Sequence, residues 1–345
     1  MEHLTGTLAL TFATFAISAF SVWVAGARLA YLADALSDRM KLAKSVVGLV
    51  FLSTATSLPE IATTLTAAVQ EARALVLNNL FGGIALQTAI LAMSDFWAHG
   101  AITNYPRKAN HALEATLLVL MLGVVIVVLM LGEPLSFGGV GIGSVIIALV
   151  YAGALWLLRT YDGANDWVPV DLPDPDPLPF PAPTGLADAS TPNLITQALI
   201  ACGAILVFGF LLVISAERLA VQTGLGTSFV GVTLLAAATS LPELTTSITA
   251  VRMGAYTLAI SNIFGSNLIM LVLVFPADIL FRDGPILRTD APMVIASLGF
   301  AIVVTAIFLT GLLIRRKPKV GAVGVDSVLV LISFAASLFV YYQLR

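Results

Sequence analysis

Long apolar runs alternate with short polar segments along almost the whole chain. A helix that crosses a membrane needs about 20 consecutive apolar residues, and ten runs approach or exceed that length. Because helices that are apolar on every side offer no face to water, the pattern predicts membrane spans. The predicted spans lie near residues 5–30, 42–69, 75–97, 111–131, 137–158, 194–220, 228–252, 256–280, 291–314 and 324–342.

One stretch of the chain occurs twice. Residues 48–91 align without a gap with residues 231–274, and both copies contain T-S-L-P-E. Each residue of the first copy is therefore separated from its equivalent in the second copy by the same number of residues as Gly48 from Gly231. We call this number the repeat spacing. Such self-similarity indicates an internal duplication.

Each half has five predicted spans, and an odd number reverses the orientation of the second half. The sequence therefore predicts an all-α polytopic membrane protein with ten transmembrane helices, arranged as two inverted five-helix repeats.

The two halves are predicted to cover residues 1–159 and 193–345, joined by a linker at 160–192. Alternating prolines and aspartates in the linker favour an extended, solvated spacer. With the N-terminus outside, twelve of the 17 Lys and Arg residues fall at cytoplasmic ends, as the positive-inside rule expects. We therefore expect a multi-pass protein of the plasma or inner membrane, with both termini outside and the linker in the cytoplasm.

Composition agrees with this class. The chain of 345 residues is 59% hydrophobic and 11% charged, whereas soluble domains are about 25% charged. The formal net charge of −3 gives no indication of nucleic-acid binding. A single cysteine, Cys202, excludes a disulfide within the chain and a cysteine-based metal site.

The most informative residues are two glutamates inside apolar runs. Glu60 and Glu243 each follow a proline, Pro59 or Pro242. An ionised carboxylate at bilayer depth costs several kcal/mol, so it needs a partner, a cavity or an ion. Proline breaks a helix and frees backbone carbonyls, and broken helices in matching positions of two repeats indicate a transporter binding site. Carboxylates and carbonyls together favour a hard cation.

Other polar residues surround the predicted breaks. Hydroxyl groups there either bind a cation or recapture freed backbone groups; they belong to Thr56, Ser57, Thr239 and Ser240. Asn79 and Asn262 lie on the following spans, where hydrogen bonding between helices is favoured over ligation. Asp95 and Asp278, near helix ends, and His111, beside a basic loop, are expected to face water.

T-S-L-P-E followed by N-N-L-F-G-G-I (78–84) in one copy and by S-N-I-F-G-S-N (261–267) in the other resembles the α-repeats of the calcium/cation antiporter superfamily, the sodium/calcium exchanger group. The resemblance implies a secondary active antiporter, not an enzyme, with inorganic cations as partners and no cofactor. It implies that Ca²⁺ is exchanged for H⁺ and/or Na⁺ by alternating access, with the same carboxylates binding either ion. By position, the ligands of the family fall on Glu60, Glu243, Thr56, Thr239, the carbonyls of Ser53 and Ala236, Gln87 and Ser266.

The sequence departs from the family pattern at three positions. Gly83 stands in place of a serine, Gln87 is longer than the usual asparagine, and Met270 offers only a thioether, which suits calcium poorly. The alternatives are a monovalent cation (Na⁺ or K⁺)/H⁺ antiporter, a cation channel and an intramembrane hydrolase. A hydrolase needs a nucleophile or metal motif such as H-E-x-x-H, which the sequence lacks.

Overall fold

A computed structural model gives the architecture of the chain. It describes residues 7–98, 100–106, 109–161, 186, 188–223, 236–314, 319–320 and 323–344. Most of the predicted linker at 160–192, and residues 228–235 of the predicted span 228–252, lie outside the described residues.

Helices form nearly all of the described chain. The first half contains α1 (Leu8–Met40), α2 (Lys44–Thr56), α3 (Leu58–Val69), α4 (Arg73–Ser94), α5 (Asn110–Leu131) and α6 (Ile142–Tyr161). The second half contains α7 (Thr191–Gln222), α8 (Leu241–Arg252), α9 (Tyr256–Val272), α10 (Val274–Leu280), α11 (Pro292–Leu313) and α12 (Val325–Leu344). Two antiparallel hairpins precede α6 and α12: β1 (Ser136–Phe137) with β2 (Val140–Gly141), and β3 (Lys319–Val320) with β4 (Val323–Gly324).

The duplication is visible in the element boundaries. The first residues of α1 and α7, α3 and α8, α4 and α9, and α6 and α12 are separated by the repeat spacing, as are those of the two hairpins. Within the described residues, eight helices are long and apolar enough to cross a membrane, or nine if the bent pair α2 and α3 is one span. The helical, multi-pass architecture is confirmed, while the ten-helix count and the inverted arrangement stay predictions.

Two helices lie at the centre of the bundle. In the segment Tyr256–Leu280, 89% of the most apolar stretch is buried inside the protein, against 22% of the corresponding stretch in Leu8–Met40. Helices α4 and α9 pack on each other and on α2, α5, α8 and α11, whereas α1 and α7 form the most extensive helix pair in the described part. On α1, Phe12 and Phe20 are 62% and 70% exposed. This outer surface suits contact with lipid.

Asp278, at the end of α10, was expected to face water but is buried, with 1% of its surface exposed. Its carboxylate accepts hydrogen bonds from the backbone amides of Ile286 (2.6 Å) and Gly141 (2.8 Å) and from the hydroxyl of Ser144 (2.6 Å). Gly141 and Ser144 belong to the first half. The expectation was wrong because the hairpin of the other half supplies the donors that replace water.

Asp95, the equivalent residue of the first half, is also fully buried, so the same expectation was wrong there. It accepts hydrogen bonds from the amides of Ile102 (2.6 Å) and Gly324 (2.9 Å), and Gly324 lies in the hairpin of the second half. One carboxylate of each half therefore accepts a hydrogen bond from the hairpin of the other half. We call these two contacts the Asp95 clamp and the Asp278 clamp.

The Asp278 clamp gives a stability prediction. Asp278→Asn replaces one carboxylate oxygen with an NH₂ group, which cannot accept a hydrogen bond from a backbone amide. Each hydrogen bond to a charged group contributes about 1.5–3 kcal/mol to the stability of a fold. We expect a clearly lower melting temperature in detergent micelles, measured by thermal denaturation. Asp283→Asn is the control, because that side chain is 78% exposed and its ion pair with Arg73 spans 3.8 Å. Equal melting temperatures for the two variants would show that the clamp does not stabilise the fold.

Candidate functional site

A break interrupts the helix before the proline of each half. Helix α2 ends at Thr56 and α3 begins at Leu58, and the two segments are bent by 52°. In the second half, residues 236–239 are helical and α8 begins at Leu241. The intervening residues, Ser57 and Ser240, have nearly the same φ and ψ angles, −82° and 6° against −87° and 9°. The predicted breaks are therefore present, and each proline occupies the first turn of the new helix, where its missing amide hydrogen is tolerated.

The two breaks bring Glu60 and Glu243 to one place, where both side chains are fully buried. The hydroxyl of Ser57, from the first half, donates to Oε1 of Glu243 at 3.1 Å. The hydroxyl of Ser240, from the second half, donates to Oε1 of Glu60 at 3.4 Å. Ser266 on α9 adds a longer contact of 3.5 Å to Glu243. Each carboxylate is thus held by a serine of the opposite half.

Two oxygens at this centre, Oε2 of Glu60 and Oε2 of Glu243, have no hydrogen-bond partner among the described residues. On α4, both side-chain amide atoms of the fully buried Gln87 also lack one there. Buried polar atoms are normally paired, so unpaired oxygens on carboxylates favour a positively charged ligand. No group of three or more His, Cys, Asp or Glu side chains in the described part could hold a metal. A cation here would therefore take two carboxylates and otherwise neutral oxygens.

The backbone carbonyls that the family resemblance implicated are already engaged. The carbonyl of Ser53 accepts from the hydroxyl of Thr56 (3.2 Å) and from the amide of Ser57 (3.0 Å). The carbonyl of Ala236 accepts from the hydroxyl of Thr239 (3.0 Å) and from the amide four residues later (3.1 Å). In this arrangement the two threonines recapture backbone groups. Because each hydroxyl donates its proton to a carbonyl, the lone pairs of its oxygen stay available to a cation.

Asn79 and Asn262 connect neighbouring helices. Nδ2 of Asn79 donates to Thr64 on α3 at 3.1 Å, and Nδ2 of Asn262 donates to Thr246 on α8 at 3.0 Å. Thr56 makes a further contact of 3.5 Å to Oδ1 of Asn262. The contacts agree with the favoured interpretation, hydrogen bonding between helices. They position α3 and α8 beside the breaks.

The two sides of the site differ. Ser266 lies beside Glu243, but the equivalent residue of the first half is Gly83. A Cβ atom added at Gly83 would lie 2.9 Å from Sδ of Met270 and 2.7 Å from its Cε, so the methionine fills the space beside the glycine. Met270 is 1% exposed. The first half thus lacks a hydroxyl at this position, and the thioether of Met270, from the second half, fills the space beside Gly83.

Two further polar groups, on the same helices as Ser266 and Glu243, were not among the site residues predicted from the sequence. Asn267 donates to Thr88 at 3.2 Å, but its Oδ1 has no partner among the described residues, and neither has the hydroxyl of Ser247 on α8. Both side chains are fully buried. A signal was present, because Asn267 ends the run S-N-I-F-G-S-N and Ser247 lies one turn after Glu243.

The chain is similar in sequence to known proteins. The chain is 26% identical over 308 residues to Inner membrane protein YrbG of Escherichia coli (strain K12), covering 85% of this chain and 86% of that protein. It is 30% identical over 105 residues to Sodium/potassium/calcium exchanger 2 of Mus musculus, covering 30% of this chain. The chain spans only 16% of the length of that exchanger.

A solved structure shares the fold. The sodium-calcium exchanger NCX_Mj, soaked with 2.5 mM Na⁺ and 10 mM Sr²⁺, superposes with a TM-score of 0.70 at 18% identity, over 96% of this chain and 99% of that one. The family profile described as Sodium/calcium exchanger protein matches residues 10–160 and 194–343, which is most of the chain. The chain therefore belongs to the sodium/calcium exchanger protein family.

Proposed function

We propose that this protein is a secondary active antiporter that exchanges Ca²⁺ for H⁺ and/or Na⁺ by alternating access. The supporting observation is the pair of fully buried glutamates, each bonded by a serine of the opposite half and each with one oxygen lacking a partner among the described residues. Family membership makes the chain a transporter rather than an enzyme. A monovalent cation/H⁺ antiporter is the second candidate, favoured by the apolar contact between Gly83 and Met270.

The proposed calcium site is built on Glu60 and Glu243. Calcium takes six to eight oxygen ligands, and the two carboxylates with Gln87 offer five side-chain oxygens. Hydroxyl groups and water would complete the shell. Counter-ions would compete for the same two carboxylates. Because the site holds either the substrate or the counter-ions, each flux depends on the other.

We further propose that proton coupling is at least as important as sodium coupling. Sodium needs a cage of neutral oxygens, and at the position of Gly83 the serine hydroxyl expected from the family is replaced by hydrogen. Protons need no such cage, because each carboxylate can carry one directly. One of two symmetric sodium positions is therefore expected to be weakened, while the proton capacity of the two glutamates is kept.

Alternating access is proposed to involve α1 and α7, which pack mainly on each other. Each carries a glycine where it meets a helix break of the other half. A Cβ atom at Gly209 on α7 would lie 2.6 Å from Cγ of Pro59, and one at Gly26 on α1 would overlap the side chain of Thr245, with the carbonyl oxygen of Pro242 3.5 Å away. Surfaces without side chains at these points allow the pair to slide or rock against the helices that hold the glutamates.

Transport in proteoliposomes tests the proposed function. Purified protein is reconstituted, and Ca²⁺, Na⁺, K⁺ and pH gradients are varied independently while uptake of calcium is followed. An antiporter gives saturable uptake that requires a counter-ion, and we expect a pH gradient to drive it without sodium. Flux that follows the electrical gradient alone indicates a channel. Uptake that strictly requires sodium and ignores pH would contradict the proton proposal.

The glutamates are the first target for substitution. Glu60→Gln and Glu243→Gln keep the shape of the side chain but remove the charge, so each is expected to reduce exchange to background while the protein still inserts and elutes normally. Glu71→Gln, in the exposed turn before α4, serves as the control and is expected to transport at the wild-type rate. Wild-type exchange in either buried variant would reject a central site shared by both halves.

Met270 allows the departure from the family pattern to be reversed. Met270→Asn places an amide oxygen in the space now filled by the thioether, so the apparent affinity for calcium should rise by up to about tenfold, corresponding to about 1.4 kcal/mol. Met270→Leu is the matched control, since it keeps an apolar side chain of similar size. Apparent affinity is read from calcium-dependent uptake rates. Equal affinity in the two variants would remove position 270 from the site.

The proposed topology has both termini outside and the linker in the cytoplasm. In a Cys202→Ala background, Phe137→Cys should react with an impermeant thiol reagent in intact cells, because Phe137 in the first hairpin is 88% exposed. Asp174→Cys, in the linker, should react only after the cells are opened. Labelling of position 174 from outside would reverse the orientation.

A further inference from the structure

A second group of ionisable side chains lies buried outside the candidate ion site. His111 and Glu114 are three residues apart on α5 and are 2% and 1% exposed. Nδ1 of His111 lies 2.8 Å from Oε2 of Glu114. From the sequence, His111 was expected to face water. That expectation was wrong because α9 packs against α5 at this point.

Ser261 on α9 completes the cluster. Its hydroxyl donates to Oε1 of Glu114 at 2.7 Å and lies 3.2 Å from Nδ1 of His111. Since the hydroxyl has one proton and gives it to Glu114, it can only accept from Nδ1. A proton shared by Nδ1 and Oε2 leaves Nε2 as the second position on the imidazole at which a proton can bind.

The neighbouring helices determine which other groups could titrate with the pair. Helices α6, α9 and α11 pack against α5, and α11 carries no ionisable side chain. Tyrosine, lysine and arginine ordinarily keep their charge state between about pH 5 and 8, whereas an imidazole changes its charge in that range. Helix α9 carries one ionisable side chain, Tyr256, and the ring of Tyr105, in the turn before α5, stacks on it. Helix α2, which packs on α9, carries Lys44. Helix α6 carries Tyr151, Arg159 and Tyr161.

Helix α9 connects this cluster to the ion site. Asn262, the residue after Ser261, bonds to the helix that carries Glu243, and Ser266 contacts the carboxylate itself. Helix α2 also packs closely on α9 at this point, since a Cβ atom at Gly48 would lie 3.0 Å from Cβ of Ser261 and 3.2 Å from the backbone nitrogen of Asn262. With so little free space, a displacement of α9 at Ser261 also displaces the residues that contact the glutamates.

The cluster occurs in one half only. At the repeat spacing, the positions equivalent to His111 and Glu114 are Val294 and Ser297, neither of which is ionisable. A duplicated scaffold does not need this pair for its symmetric site. His111 is the second residue of α5, and in the proposed topology that end of the helix faces the cytoplasm.

We propose that the His111–Glu114 pair is a proton-binding site, separate from the two glutamates of the ion site, and that its proton sets the position of α9 and thereby the transport rate. The ligand is a proton taken from the side of the membrane at which α5 begins. The effect on transport rests on the proposed function, whereas proton binding itself can be measured without transport.

Proton binding is tested by nuclear magnetic resonance of the full-length protein with ¹⁵N-labelled histidine in detergent micelles. The signal of His111 is identified by its loss in His111→Gln. We expect this signal to differ between acidic and basic buffer, because a proton gained by the imidazole changes it, and we expect the difference to change in Glu114→Gln, which removes the carboxylate. A His111 signal that is the same at every pH would overturn the proton site, whatever the transport activity of the protein.

The link to transport is tested in proteoliposomes by changing the pH on the face where α5 begins. Between pH 6 and 8, we expect the ratio of uptake rates in His111→Gln to differ from that of the wild type by at least about threefold. His99→Gln, the same substitution at another histidine, should keep the wild-type ratio. Ser261→Ala should reduce the pH dependence of transport, because the hydrogen bond that joins the pair to α9 is removed.

Two outcomes separate this inference from the proposed function. Coinciding pH profiles for the wild type, His111→Gln and Glu114→Gln would overturn the link between the pair and transport. Absence of exchange by the wild type under every gradient would reject the proposed function instead, and the histidine titration would still decide whether the pair binds a proton.

Discussion

The arrangement depends on the cost of holding two carboxylates inside a bundle surrounded by lipid. Several kcal/mol oppose each charge there, so donors must be supplied by the protein. Glu60 and Glu243 receive them crosswise, from the serine at the helix break of the opposite half. The break is required for this, because it turns the serine and the following glutamate away from a continuous helix. The site is therefore complete only when both halves are assembled.

The same crosswise principle appears again at the ends of the central helices. Asp95 and Asp278 each bond to a hairpin of the other half, so the halves exchange contacts at the centre and at the periphery. Symmetry is broken in few places. Where Ser266 reaches Glu243, the first half places Gly83 against Met270. The duplicated scaffold keeps its geometry in both halves, while its chemistry differs between the two sides.

Local signals were sufficient to predict the helical, multi-pass architecture and both breaks, because apolar length and proline act through nearby residues. The two short hairpins were missed, since strands of two residues leave no periodic pattern. Asp95, Asp278 and His111 were placed at the surface for a related reason: their partners lie in distant parts of the chain. One clue was available for the aspartates, because Gly141 and Gly324 are separated by the same repeat spacing as Asp95 and Asp278.

In the proposed mechanism, crosswise bonding also links ion binding to movement. An ion that takes both oxygens of a glutamate must compete with the serine that now donates to one of them. The contact between Ser57 and Glu243, and that between Ser240 and Glu60, join opposite halves, so replacing either contact changes how tightly the halves are held together. A bound ion substitutes its own attraction to both carboxylates for the two hydrogen bonds. Ions of different charge and size would therefore favour different relative positions of the two breaks, which is the physical requirement for coupling occupancy to a change in access.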